Sequence, residues 1–151
     1  MIGCEATIDA QTVNSKTFAS FTMSNLLYFN NPIASSIFSI NSSRNLIMIN
    51  KTQNLNLFIY ISITGHQNTT TGITAFGTGT WYNSSWHELL MQAETHNASN
   101  YIPKTIIDRR WILTDSDIYN IGVGLRVVSG NGYICTGGCI GMFILNTVTS
   151  F

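Results

Sequence analysis

Charged side chains are scarce in this sequence. Asp, Glu, Lys and Arg make up 9% of its 151 residues, against about 25% in an ordinary soluble domain. A lone domain stays in solution largely by covering itself with charge. A chain this neutral needs another device: neutral polar side chains, or burial of surface between identical copies. The seven basic and seven acidic residues cancel, and the only adjacent basic pair is Arg109-Arg110. Nucleic acid, which is held chiefly through neutralised phosphates, is therefore not expected as a partner.

Cysteine is scarce too. The three residues Cys4, Cys135 and Cys139 form an odd count that does not suggest a disulfide framework. Cys135-Thr-Gly-Gly-Cys139 has the look of half a zinc knuckle, but no second pair and no nearby His-x-x-x-His completes four ligands. No metal and no cofactor is expected. No uninterrupted apolar run approaches the roughly 20 residues of a membrane-spanning helix, so membrane insertion is not expected either. Met1–Ala10 lacks the basic start and apolar stretch of a signal peptide. With no repeat, low-complexity tract or charge block to divide it, the chain reads as one domain over 1–151, long enough to bury about 70% of its unfolded surface.

What is present is a two-residue rhythm. Leu55, Leu57, Ile59, Ile61 and Ile63 alternate with Asn56, Phe58, Tyr60 and Ser62, which predicts a strand with one buried face. Because Phe58 and Tyr60 are large, the second face is expected to be covered as well, by a neighbouring subunit or a loop. Ile121, Val123, Leu125 and Val127 repeat the rhythm, with Gly122 and Gly124 at places where another backbone or chain comes close. β-Branched and aromatic enrichment adds strands over 17–23, 36–40, 45–51, 72–82, 104–114 and 140–148. The expected fold is an all-β antiparallel sandwich of about eight strands in two sheets, jelly-roll-like. One short helix fits from Ser85, where Glu88 completes a capping box and Trp86, Leu89, Leu90 and Ala93 share a face. A bulged strand fits that stretch nearly as well.

Catalytic constellations are missing. There is no Gly-x-Ser-x-Gly, and His66, His87 and His96 stand in no recognisable context. The close carboxylates Asp115 and Asp117 lack the Gly and terminal Glu of a calcium loop and read as a turn. Gly77-Thr-Gly79 and Gly122-Val-Gly124 fall inside predicted strands, where a phosphate cradle has no place. The chain is read as a non-enzyme that binds through its loops. The favoured loop runs from Arg109 to Asn120, with Arg109, Arg110, Thr114, Ser116, Tyr119 and Asn120 as candidate ligand contacts. Guanidinium groups beside hydroxyls suit a carboxylate-bearing sugar such as sialic acid. The plainer alternative makes Trp111 and Ile112 core, pairs Arg109 with Asp108 and leaves Asp115 and Asp117 shaping a bend. Asn-x-Ser/Thr triplets occur at Asn41, Asn50, Asn68, Asn83 and Asn97, a number that chance supplies in a chain this rich in Asn, Ser and Thr.

As a whole, and through the stretches 46–63, 69–81 and 146–151 in particular, the chain resembles an adenovirus fibre head, most closely that of a siadenovirus of the turkey adenovirus kind. The resemblance implies a homotrimer at the tip of the virion fibre that attaches the virus to a host-cell receptor. Sialylated glycans are the leading receptor, with a protein receptor as the alternative. It also implies assembly in the host nucleus, which would leave the three cysteines as thiols and the five acceptor Asn unmodified. The chain lacks a Thr-Leu-Trp-Thr lead-in and shaft repeats, so no binding residue is carried over from such fibres. The rival readings are a trimerising jelly-roll module from another assembly and a glycan hydrolase using Asp115 or Asp117.

Overall fold

The structure is a computed structural model that describes residues 1–50, 55–67, 72–96, 104–113 and 120–145. Twelve strands and one short helix follow in the order β1 (Ile2–Ile8), β2 (Gln11–Val13), β3 (Leu27–Phe29), α1 (Ile33–Ile37), β4 (Phe38–Ile40), β5 (Ile47–Asn50), β6 (Asn56–Gln67), β7 (Gly72–Tyr82), β8 (Ser85–His96), β9 (Lys104–Leu113), β10 (Asn120–Ser129), β11 (Gly132–Ile134) and β12 (Gly138–Ile144). All pairs are antiparallel. The larger sheet runs β2-β11-β6-β12-β1-β3, with β9 on the other side of β6, and the smaller runs β4-β5-β10-β7-β8. The chain forms the two-sheet jelly-roll sandwich that its rhythm predicts, with short extra strands at the rims.

The period-two positions face each other across the core. Leu57, Ile59, Ile61 and Ile63 of β6 and Ile140, Met142 and Ile144 of β12 meet Val123, Leu125 and Val127 of β10, Ile47 and Ile49 of β5 and Phe76 of β7. α1 adds Ala34 and Ile37 to this core. Each of these side chains is removed from water almost completely, a contribution of about 1.5–3 kcal/mol for a large aliphatic residue.

Three expectations change. The stretch from Ser85 is a strand, not a helix: β8 pairs with β7 throughout, and the register slips between Thr78 and Gly79, where Leu89 is the extra residue. Such a bulge reverses the alternation, so residues three apart imitate a helical face. The predicted strand over 17–23 reduces to a single bridge between Phe18 and Arg126, set by Val127 N–H to Thr17 O and Ala19 N–H to Leu125 O. Arg109 and Arg110 lie in β9, inside the strand expected over 104–114, so the loop read from Arg109 begins within a strand.

Candidate functional site

The outer face of the larger sheet is built from the residues that alternate with the core. On β6 these are Phe58, Tyr60, Ser62, Thr64 and His66, on β12 Cys139, Gly141 and Phe143, on β1 Gly3 and Glu5, and on β3 Phe29. The register sets Gly3 beside Phe143 and Gly141 beside Tyr60. A Cβ at Gly3 would stand 2.3 Å from the Phe143 ring, and one at Gly141 2.4 Å from the Tyr60 hydroxyl. The two glycines thus let the rings lie down across the neighbouring strand. Phe29 and Phe143 are 5.3 Å apart and tilted, and Phe143 and Tyr60 are stacked at 5.7 Å. The result is a continuous row of three rings, each half-buried. Nothing in the chain lies across it among the described residues.

One polar contact anchors the row. The Tyr60 hydroxyl donates to Glu5 Oε2 at 2.6 Å. Burial first, and then this bond and the Glu5 charge, push the hydroxyl well above the usual tyrosine range, so it remains a donor. Burial and Glu5 also push up the Cys139 thiol beside it. Farther along β6, His66 stacks on Tyr133 at 5.1 Å. A cavity of about 260 Å³, lined by Glu5, Thr7, Met23, Asn25, Leu26 and Leu27, opens next to the row.

The outer face of the smaller sheet is arranged differently. Gly79, Gly122 and Gly124 form a trough, and the chain fills it with its own side chains: Trp86 over Gly79, Leu46 over Gly122, and Leu46 and Phe18 over Gly124. The close approach expected at Gly122 and Gly124 is therefore made from within the chain. Phe18 meets Trp81 and Trp86 edge-on at 5.8 and 5.2 Å, and Arg126 lies over Phe18 and Trp86 at 5.8 and 5.7 Å.

The sequence-predicted contacts do not form one group in the described structure. The register sets Arg109 opposite Tyr60, an outer-face residue, and Arg110 opposite Ile59, a core residue. Asn120 opens β10 in the other sheet, opposite Asn50. Thr114, Ser116 and Tyr119 lie outside the described residues, as do Asp115 and Asp117. Sequence reasoning singled out Phe58 and Tyr60 but missed Phe29, Phe143 and Glu5. The signal for Phe143 was its place between inward Met142 and Ile144; Phe29 and Glu5 reach the site only through the register of β3 and β1.

Three free thiols are present, and Cys4 is enclosed in the core, where burial raises its pKa far out of the reactive range. No group of three or more metal-ligating side chains occurs among the described residues. No helix among them is long and apolar enough to cross a membrane.

The strand order and the sandwich have a solved counterpart. The chain is similar to Eiger TNF from S. frugiperda. The match has a TM-score of 0.69 at 10% sequence identity and covers 99% of this chain and 95% of that one. No family model and no curated protein matches the sequence. This likeness overturns the adenovirus fibre-head resemblance, and with it the virion-attachment role, the sialylated-glycan partner and the placement at a capsid fibre assembled in the nucleus. The physical reason is that strand-forming stretches such as 46–63 and 69–81 describe any jelly-roll strand pair.

Proposed function

We propose that the chain is a TNF-like ligand: a jelly-roll head that forms a homotrimer through the outer face of its larger sheet and presents its edges and loops to a protein receptor. The observation that carries this reading is the row Phe29, Phe143 and Tyr60, left only half-buried in a chain with only 9% charged residues. Apolar rings on a weakly charged surface are kept from water most simply when identical copies share them. The likeness in fold to Eiger TNF supports a protein partner. Thr114, Ser116, Tyr119 and Asn120 carry forward as candidate contacts, now for a protein, while Arg109 and Arg110 stand in β9 opposite an outer-face and a core residue of β6. Hydroxyls and neutral donors beside an aromatic ring suit that partner too.

Two measurements test the proposal. Sedimentation equilibrium should return three times the 16.7 kDa of one chain, and a lone chain at micromolar concentration rejects the assembly. Fluorescently labelled protein should bind responsive cells before and after sialidase treatment and lose binding after brief surface proteolysis. Binding that sialidase removes would sink the protein-receptor reading.

A further inference from the structure

We propose that Asn83 is the acceptor of an N-linked glycan. Two of the five Asn-x-Ser/Thr triplets lie wholly within the described residues, Asn41-Ser42-Ser43 and Asn83-Ser84-Ser85, and the structure treats them in opposite ways. The Asn41 carboxamide is consumed by its own loop. Its Oδ1 accepts from the backbone N–H of Asn45 at 2.9 Å and of Leu46 at 3.0 Å, and its Nδ2 donates to Asn45 Oδ1 at 2.8 Å. It is half-buried. A sugar on that nitrogen would replace a hydrogen and crowd the loop that delivers Leu46 to the glycine trough.

Asn83 is presented instead. Tyr82 and Ser85 are the last pair of the β7–β8 ladder, so Asn83 and Ser84 are the two residues of a tight hairpin. Both have positive φ, 51° and 57°, the backbone of a type I′ turn. Asn83, Ser84 and Ser85 are all exposed. The stem beneath is held by the cross-strand pair Trp81 and Trp86, each braced by Phe18, and by Tyr82 stacked on His87 at 3.9 Å. The acceptor therefore stands on a fixed support in the smaller sheet. A glycan there leaves the ring row of the larger sheet uncovered for assembly.

The transfer balances with one co-reactant, an oligosaccharide on a lipid pyrophosphate, supplied with its transferase in the secretory lumen. The Asn83 amide nitrogen forms a bond to C1 of the first sugar as the C1–O bond to phosphate breaks. The lipid pyrophosphate leaves, and the amide gives up one proton. The Ser85 hydroxyl completes the triplet that the transferase recognises.

The test secretes the full chain from mammalian cells behind a cleavable leader and maps its glycopeptides by mass spectrometry, with and without peptide N-glycosidase in heavy-oxygen water. The peptide carrying Asn83 should be occupied and that carrying Asn41 bare. Ser85→Ala, which leaves the positive-φ turn residues in place, should abolish occupancy at Asn83, and after enzymatic deglycosylation the variant and the wild type should elute together. A bare Asn83 in the secreted wild type overturns the proposal, as does equal occupancy of Asn41 and Asn83.

Discussion

The two sheets solve the same problem in opposite ways. Both have an outer face in which glycines leave room for aromatic rings. In the smaller sheet that room is filled in part from outside the sheet, by Leu46 from the loop before β5 and Phe18 from the segment after β2, which join Trp86 of the adjacent strand. In the larger sheet the rings come from the sheet itself, Phe143 and Tyr60 lying across Gly3 and Gly141, and no further layer follows among the described residues. An aromatic sheet face is therefore not by itself a binding surface. What distinguishes the candidate is that no other described segment of the chain packs over it.

One substitution in each face separates their roles. Phe143→Asp should weaken association by about 30-fold or more, the scale of a central interface residue worth about 2 kcal/mol, and sedimentation should find single chains where the wild type trimerises. Retained trimers would move the interface elsewhere. Gly79→Ala should act on the fold and not on assembly. Its Cβ would meet the His87 carbonyl oxygen at 2.4 Å and the Trp86 ring at 2.6 Å, overpacking that costs about 1–3 kcal/mol, read as a lower denaturant midpoint with the oligomeric mass unchanged. Tyr60→Phe should remove the bond to Glu5 and cost about 1.5 kcal/mol in chemical denaturation while the ring row persists.

The smallest effect lies away from both faces. The Thr136 hydroxyl and the Ala10 N–H donate to Asp9 and hold its carboxyl below its ordinary value of 3.8. A lowered carboxyl stabilises the fold above its unfolded value and loses that contribution as the pH falls through the folded one. Wild type and Thr136→Val should therefore differ in denaturant midpoint near neutral pH and converge below 3.8; a gap that persists in acid would assign the difference to packing.

Much of the sandwich was legible because long strands with one buried face must alternate. β7 begins and ends where β-branched and aromatic enrichment placed it, and β6 follows its leucine and isoleucine rhythm. β8 was ambiguous for a definite reason, the single extra residue Leu89. β1 was not foreseen because its inward side chains include small Cys4 and Ala6, and one outward position is the glycine that admits Phe143. Three-residue strands such as β2, β3 and β11 are too short for any period to show. The site was half legible. Phe58 and Tyr60 announced a second covered face, but Glu5, Phe29 and Phe143 join them from three other strands, and register across a sheet is not written in local pattern. The glycan reading leaned on an Arg pair taken for part of a loop, and that pair lies in β9.

β12 sits between β6 and β1 at the middle of the larger sheet, pairing seven residues of β1 from Ile2 to Ile8 with Ile144 through Gly138. During synthesis, β1 and β6 must therefore wait with open edges until residues 138–144 leave the ribosome. Pairings this distant along the chain make folding slow and expose strand edges to neighbouring nascent chains. Expression yield should then depend on temperature and chaperone supply during the interval before that central strand arrives.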